Sequence, residues 1–501
     1  MSLEALLNAN FKTPPWNHQL CEFERSADAT QRALFWSMRT GKTKFILDTI
    51  SHLARKGELD CAMIFAPNGV HLNWLLREAP LHMWEDVPFV AIPWDITVAS
   101  TNAGSSQVAE RHKAAWWAKL KEAIKDTSKL LLLSFNNESV VREDVRKVIA
   151  AATKRRTCMG VWDECTDYRT PGAKRTKMMR AVAKHLKYRR ILDGTPATNS
   201  PLHLFSQFEL LGQATLGFSR AEDFNKEFAV YEKKPFWRRS NKRTPKVLKG
   251  YQNLDKLTQL IAPFVSKVSR EDCTDLPPII SRVEYIEYTA EQRCALAYMK
   301  KRALEEIAGE KLHLSRQVSI ITKLQQIGSG FVYDNDKKAH WLPGGNPRLD
   351  KMAELATQSP GKCIIWCQFQ PDMDAVMDRL RREGRKPVEY HGRIDQKVKE
   401  ASLKAFQEDE SVTDIVGQVQ SLGRGREASA AHTIIWYSHT FNALLREQAN
   451  ERATKMGGRA ITSWDIVGPG VDEYILDAVN RKINVADEVA GQGLAKVLAC
   501  I

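Results

Sequence analysis

The chain has 501 residues, 43% hydrophobic and 27% charged, which predicts about two to four folding units with ordinary apolar cores. It contains no run of eighteen or more uncharged apolar residues, and Met1 to Glu4 lack the basic-then-apolar profile of a signal peptide, so we expect neither a membrane segment nor export. The net charge of +14, from 74 basic and 60 acidic residues, indicates a polyanionic partner.

A glycine-turned loop near the N-terminus predicts a phosphate site. The run Leu34–Trp36 suits a buried strand, the loop reads Met38-Arg39-Thr40-Gly41-Lys42-Thr43, and apolar residues recur at helical spacing from Phe45 to Leu53. Such a turn offers backbone N–H groups to phosphates, the lysine adds a mobile charge, and the threonine hydroxyl can ligate Mg²⁺. Trp36 stands where the usual pattern has glycine, so an ordinary surface turn is the alternative, which the flanking strand and helix disfavour.

An acidic pair, Asp163-Glu164, follows a second apolar run, Met159–Trp162. These carboxylates are suited to hold the Mg²⁺ and to orient a water molecule for attack. With the glycine loop they predict a nucleotide triphosphate site. For Glu164 the alternative is an exposed surface acid.

Short apolar, β-branched runs alternate with longer helical patterns, as parallel sheets covered on both faces require. They lie at 61–66, 130–134, 158–162 and 190–192 in the first half and at 362–367, 387–390, 413–416, 433–437 and 461–467 in the second. The pattern predicts an α/β fold with two lobes. The stretch 217–347 is basic, helical and irregular, which predicts helical protrusions and a linker, and 99–125 has the composition of an insertion.

Two basic clusters stand out. The segment from Lys233 to Arg243 contains no acid and carries two aromatic residues that could lie against bases or sugars; a solvated flexible loop is the alternative. The segment from Lys174 to Arg190 has helical spacing, and we interpret it as a helix face near phosphates. Nine scattered cysteines indicate a reducing compartment, and for Cys363 and Cys367 we favour buried structural thiols over a zinc site.

Taken in order, the motifs resemble those of the Swi/Snf-type ATPases of helicase superfamily two over most of the chain. Gly194-Thr195-Pro196 lies in the most family-specific block. The blocks that carry the resemblance are Trp16–Gln19, Ile64–Pro67 with Asn73-Trp74 and Glu78, Trp162–Cys165, Arg190–Asn199, Val268–Asp272, Asp275–Pro278, Tyr390–Gly392, Gln418–Gly425 and Gln448–Arg452.

The resemblance implies two tandem RecA-like lobes with parallel sheets. The first lobe would span 1–216 and carry motifs Q, I, Ia, II and III. Basic helical protrusions and the interlobe linker would occupy 217–347. The second lobe, 348–501, would carry motifs IV, V and VI and a C-terminal brace helix with apolar Ile475, Leu476 and Val479.

The resemblance also implies residue roles. Lys42 would contact the β- and γ-phosphates, Thr43 and Asp163 the Mg²⁺, and Glu164 the attacking water. Gln19 would face the base. Further nucleotide contacts would come from Arg39, Thr40 and Gly41 in the first lobe and from Arg424, Arg452 and Lys455 in the second. Coupling and nucleic-acid contacts would come from Ser134, Gly194, Thr195, Asn199, Gln448, Lys233, Lys234, Trp237, Arg238 and Arg239.

Three departures from the family pattern bear on turnover. Arg39 stands where a glycine is common, Cys165-Thr166 replaces the usual Ala-His, and Lys455 replaces a second arginine, which keeps the charge but loses the bidentate fork. Compensation by Arg424 or Arg426 is one hypothesis.

The resemblance therefore implies an ATP- and Mg²⁺-dependent motor, stimulated by nucleic acid, that translocates on duplex DNA without sequence preference and remodels or reanneals DNA structures. The alternatives are a catalytically weakened clamp on structured DNA and a strand-separating DNA or RNA helicase. We expect duplex or branched DNA rather than RNA as the partner, and a monomer. The expected location is the cytoplasm of a prokaryote or of a phage-infected host, at the nucleoid, rather than a nucleus.

Overall fold

The computed structural model describes residues 10–68, 70–94, 107–194, 196, 200–233, 246–270, 272–273, 277–309, 314–421, 428–454, 458–481 and 498. The chain divides into two units, Met1–Cys273 and Thr274–Ile501. Each unit is built around its own sheet.

The first unit contains a seven-stranded sheet in which every pair of neighbours is parallel, in the order β3-β4-β2-β5-β6-β1-β9. Strands β7 and β8 form a separate antiparallel hairpin. The strands are β1 (Gln31–Trp36), β2 (Cys61–Ala66), β3 (Phe89–Pro93), β4 (Leu130–Asn136), β5 (Cys158–Asp163), β6 (Tyr188–Leu192), β7 (Ala229–Lys233), β8 (Lys246–Tyr251) and β9 (Val265–Val268). Every residue of β2 and β4 is buried, as expected of parallel strands in the centre of a sheet.

Helices follow most strands of the first unit. They are α1 (Asn17–Ser26), α2 (Lys42–Arg55), α3 (Gln107–Lys125), α4 (Glu143–Thr153), α5 (Lys174–Ala183), α6 (Leu204–Phe208), α7 (Ala221–Phe228) and α8 (Leu254–Ile261). A shorter helical segment, Val70–His82, contains a π-helical turn at Trp74–Glu78. Residues from α3 to α8 and from most of the sheet strands pack into one continuous apolar core.

The second unit contains a six-stranded parallel sheet in the order β10-β17-β16-β13-β15-β14. Strands β11 and β12 form a small antiparallel pair. The strands are β10 (Ile279–Tyr285), β11 (Phe331–Tyr333), β12 (Ala339–Trp341), β13 (Lys362–Trp366), β14 (Pro387–Tyr390), β15 (Asp414–Gly417), β16 (Ala431–Trp436) and β17 (Ile461–Val467).

Seven helices accompany this sheet among the described residues. They are α9 (Ala290–Gly309), α10 (Leu314–Gly328), α11 (Pro347–Gln358), α12 (Gln370–Arg382), α13 (Gln396–Glu408), α14 (Ala443–Glu451) and α15 (Val471–Asn480). Buried Arg348 pairs with Asp472 and donates to the carbonyls of Tyr437 at 2.7 Å and Ile466 at 2.9 Å. This guanidinium therefore joins α11 to α15, to the residue that follows β16 and to the end of β17.

The prediction of an α/β fold with two parallel sheets is confirmed. The middle stretch, 217–347, is shared between the units: β9 pairs with β1, and β10 pairs with β17. The same stretch contains the β7–β8 hairpin in addition to helices. The apolar helix expected near the C-terminus is present as α15, and its Ile475 and Val479 lie in the apolar core of the second unit; its role as a brace between the lobes stays a prediction. No helix within the described residues is long and apolar enough to cross a membrane.

Candidate nucleotide site

Three neighbouring strands of the first sheet bring the predicted phosphate and acidic motifs to one edge. Strand β6 lies between β5 and β1. The loop 37–41 follows β1, Asp163-Glu164 ends β5, and Asp193-Gly194 follows β6. Because the strands are parallel, their carboxyl ends share one edge, which is where ligands of open α/β sheets bind.

The phosphate loop turns through two residues in the left-handed region, Arg39 with φ +64° and Gly41 with φ +79°. Gly41 is the N-cap of α2, so the free N–H groups of the first helical turn and the positive end of the helix dipole lie at the loop. The Thr40 hydroxyl donates to Ser37 O at 2.8 Å and closes the turn. This geometry suits an anion.

Helix α1 braces the loop from one side. The Gln19 amide nitrogen donates to Gly41 O at 3.1 Å, and its amide oxygen accepts from Trp16 N at 2.8 Å. His18 Nε2 donates to Thr40 O at 2.8 Å. Gln19 was predicted to face the base; the structure places its amide, which is 1% exposed, against the loop backbone. A methyl group on Gly41 would lie 2.1 Å from the Gln19 amide nitrogen, so any larger residue there would displace that amide from the loop.

The Lys42 ammonium lies inside the loop, where it donates to Trp36 O at 2.6 Å and to Ser37 O at 3.2 Å. Burial raises the pKa of Asp163, while the hydrogen bond from Trp74 and the positive charge of Lys42 oppose that rise. The charges of Lys42 and Asp163 therefore interact electrostatically across β6.

Both oxygens of Asp163 accept hydrogen bonds from fixed donors. Trp74 Nε1 donates to Oδ2 at 3.0 Å, and Glu164 N donates to Oδ1 at 3.1 Å. Trp74 begins the π-helical turn, a local irregularity that often marks functional sites. Glu164 itself has φ +53°, a strained conformation of the kind that clusters at active sites.

The oxygen donors at this edge suit Mg²⁺. Thr43 and Asp163 offer a hydroxyl and a carboxylate, and Mg²⁺ is commonly held by one or two carboxylates together with substrate phosphates and water. No group of three or more His, Cys, Asp or Glu that could hold a metal occurs among the described residues. Cys363 and Cys367 are buried as expected, and burial raises the pKa of Cys363 to about 12.

Asp193 connects the acidic motif to the Gly-Thr-Pro block, a role that the sequence interpretation missed. Its Oδ2 accepts from Thr166 N at 2.9 Å and lies 3.7 Å from the Cys165 thiol. In this chain the residues at the Cys165-Thr166 departure thus contact Asp193 directly, through the Thr166 backbone N–H and the Cys165 thiol. The available signal was an acid at the end of a strand, directly before Gly194.

Other predicted contacts have different settings. Ser134 is fully buried in the inner strand β4, so its hydroxyl does not lie at the protein surface; its role in coupling or nucleic-acid contact stays a prediction. Gln448 lies on α14 and Arg452 at its C-cap in the second unit, each 6% exposed. Lys233 ends β7. Thr195, Asn199, Lys234, Trp237, Arg238, Arg239, Arg424, Arg426 and Lys455 lie outside the described residues.

The chain matches two protein families. Residues 38–329 match the SNF2-related domain, and residues 347–457 match the helicase conserved C-terminal domain. The first match alone covers more than half of the chain.

Individual relatives are more distant. An uncharacterized ATP-dependent helicase of Mycoplasma pneumoniae is 25% identical over 435 residues, which cover 84% of this chain and 36% of the relative. The TATA-binding protein-associated factor MOT1 of Saccharomyces cerevisiae is 26% identical over 381 residues, which cover 64% of this chain and 20% of that protein. The solved SWI2/SNF2 ATPase core of Sulfolobus solfataricus in complex with dsDNA gives a TM-score of 0.40 at 19% identity, covering 97% of this chain and 95% of that one. The chain thus spans 36% of the length of the Mycoplasma relative and 20% of the length of MOT1.

Proposed function

This chain belongs to the SNF2-related family and is an ATP-using, helicase-like enzyme, and from that premise we propose that it is a nucleic-acid-stimulated motor that translocates on duplex DNA. The resemblance to Swi/Snf-type ATPases inferred from the motifs is confirmed by the two family matches. The substrate, the motion along DNA and the residue roles below are our proposal.

The observation that carries the proposal is the shared edge of β1, β5 and β6. A left-handed glycine turn at a helix N-terminus, a lysine and a strand-ending Asp-Glu pair meet there. Phosphoryl transfer needs little covalent chemistry from the protein, and these groups supply the positioning and charge that it does need.

Each group at this edge has a proposed role. Lys42 exchanges its bonds to the Trp36 and Ser37 carbonyls for the β- and γ-phosphates. Thr43 and Asp163 would hold Mg²⁺, which would neutralise charge on the phosphates. Glu164 accepts a hydrogen bond from the attacking water and orients it. Arg39 adds a further cation beside the loop.

The second unit is proposed to complete the reaction. Arg452 would stabilise the charge that develops on the γ-phosphate, with Lys455 and Arg424 as the other candidates. Since these residues belong to a different unit from Lys42, hydrolysis would depend on how the units move, and that dependence would couple ATP turnover to translocation.

Duplex DNA is proposed as the track. The net charge of +14 favours a polyanion, and backbone phosphates can be held without reading base edges. The Mycoplasma relative is named as an ATP-dependent helicase, which agrees with a nucleic-acid substrate but does not distinguish translocation from strand separation.

A triplex-displacement assay tests the proposal. The protein is given ATP and a duplex that carries a third strand, and in parallel a forked duplex. We expect release of the third strand with little separation of the fork, and no release by Lys42→Ala. Lys56→Ala, at the exposed far end of the same helix, is the matched control and should behave as wild type. Fork opening without triplex release would instead support a strand-separating helicase.

A further inference from the structure

The basic cluster from Lys174 to Arg190 is not used by the nucleotide site. Between Tyr168 and Leu192 the sequence holds nine Lys and Arg and no Asp or Glu. Part of this charge surrounds a cavity of about 240 Å³ at the opposite edge of the first sheet. The charged residues that line the cavity, with the glycine beside them, are Lys177, Arg180, Lys184, Arg189, Glu209 and Gly212.

Helix α5 and its C-cap residue, Lys184, supply three of these cations from one face. Lys177 and Lys184 lie two turns apart with Arg180 between them, as the helical period requires. Arg180 forms an ion pair with buried Glu209 at 2.5 Å, so its charge is largely neutralised within the protein. Lys177 and Lys184 are exposed. Burial raises the pKa of Glu209, and the positive charges of Arg180 and, more weakly, Lys184 oppose that rise.

Arg189 supplies the fourth cation from the sheet. It lies near the start of β6, in register with Gln31 and Gly160. Its Nη1 makes one long hydrogen bond, 3.4 Å to Ala183 O, and its Nε is buried without a partner among the described residues. Burial lowers the pKa of Arg189, and no acid offsets that cost. A half-buried guanidinium with unused donors gains free energy from any anion that reaches it.

The cavity is distinct from the nucleotide site. Arg189 lies near the start of β6 and Gly194 just beyond its end, and at about 3.3 Å per residue this separation of five residues spans roughly 16 Å. The phosphates of a nucleotide bound at the loop 37–41 therefore do not reach it. The volume of about 240 Å³ is also below the roughly 300 Å³ at which pockets for whole small molecules begin.

We propose that this cavity binds a backbone phosphate of nucleic acid and so forms a second contact with the track, on the edge of the first unit away from the nucleotide. Four cations and one carboxylate line the cavity, which leaves an excess of three positive charges, and this excess favours the singly charged phosphodiester and its oxygen acceptors. The inference rests on the proposed function, since it needs a nucleic-acid substrate.

The test compares the salt dependence of duplex binding in wild type and variants, without ATP. Lys177→Ala/Lys184→Ala changes only exposed side chains and should fold normally. We expect the slope of log K against log salt to fall in magnitude by about 1, the amount that one phosphate contact contributes, with ATP affinity unchanged. Lys226→Ala/Lys256→Ala is the matched control: it removes the same charge from two exposed lysines already paired with Asp223 and Glu227, and its slope should stay near that of wild type.

A third variant separates one site from scattered charge. By itself, Arg189→Gln should lower the magnitude of the slope. Combined with Lys177→Ala/Lys184→Ala it should give little further change, because all three side chains hold the same phosphate. Additive losses, or a slope equal to that of the control, would overturn the inference. A different outcome would assign the cavity to a free anion instead: inorganic phosphate raises the melting temperature of the wild type, and the variants keep the wild-type slope. If wild type itself fails to bind nucleic acid, the proposed function fails as well.

Discussion

Trp74 gives the nucleotide site a donor that is far away in sequence. The indole N–H reaches Asp163 from the π-helical turn after β2, and the backbone of Glu164 holds the other carboxylate oxygen. Donors of this kind orient metal ligands and are often as important as the ligands themselves. Trp74 is therefore a positioning residue for the proposed Mg²⁺ site.

Trp74→Phe removes the donor and keeps most of the ring. We expect the Mg²⁺ concentration needed for half-maximal binding of a fluorescent ATP analogue to rise about 10-fold, within the 10- to 100-fold range for such partners. Binding of the analogue in EDTA should change little, because the phosphate loop is intact. Titrations of Mg²⁺ at fixed analogue measure both quantities.

Trp162→Phe is the matched control for this change. Trp162 directly precedes Asp163, is fully buried and stacks on Phe65, but its indole N–H has no partner among the described residues. Trp162→Phe should leave the Mg²⁺ concentration for half-maximal binding unchanged from wild type. Equal shifts in the two variants would show that loss of packing, rather than loss of the hydrogen bond, moved the titration.

Residue types were easier to predict from the sequence than their partners. Gly41, Lys42, Asp163 and Glu164 follow from motif order. The inward turn of the Gln19 amide and the link from Thr166 to Asp193 do not, because each depends on side chains brought together by sheet pairing. The setting of Asp372 in α12 was equally unpredictable from the sequence. Asp372 accepts a hydrogen bond from the Ser438 hydroxyl at 2.6 Å, and its burial raises its pKa to about 7.

At the scale of elements, α2 has glycines with positive φ at both ends. Gly41 precedes it with φ +79°, and Gly57 follows it with φ +68°. The two positions share the conformational demand but differ in surroundings. A methyl group on Gly41 would meet the Gln19 amide at 2.1 Å, whereas one on Gly57 would meet nothing within 4 Å.

This difference predicts that replacement by alanine lowers the free energy of unfolding by different amounts at the two glycines. Gly57→Ala should lower the free energy of unfolding by about 1 to 2 kcal/mol, the cost of a left-handed alanine, and leave ATP binding unchanged. Gly41→Ala should cost more and abolish ATP binding, since it also displaces Gln19 from the loop. Denaturant unfolding and nucleotide titration of both variants check this; equal effects would contradict the proposed bracing of the loop by α1.

Elements with continuous apolar runs were predictable, and those that depend on a distant partner were not. Strands β2, β4, β5, β13 and β16 coincide with predicted runs because central parallel strands are apolar on both faces. Strand β10 falls in the predicted linker, since its Ile280, Val283 and Tyr285 are exposed and only its pairing with β17 fixes it as a strand. Strand β9 has just four residues, too few for a clear period.

At the scale of the whole molecule, the chain contains two parallel sheets with different tasks in the proposed mechanism. The unit of the first sheet carries the phosphate loop and the acidic pair, and the unit of the second sheet carries Gln448 and Arg452 on and at the end of α14. Motif order predicted this division, whereas the boundary between Cys273 and Thr274 did not follow from composition, because the middle stretch supplies a strand to each sheet.

In the proposed mechanism, duplex DNA stimulates ATP hydrolysis at the site that contains Lys42. The most direct measurement is the steady-state rate of ATP hydrolysis with and without saturating duplex, for wild type and Lys42→Ala, with Mg²⁺ present. We predict that duplex raises the wild-type rate and that Lys42→Ala lowers the stimulated rate by about 10²-fold or more, as loss of a charge-stabilising donor does in other enzymes. A wild-type rate that duplex leaves unchanged, or a stimulated rate that survives Lys42→Ala, would contradict it.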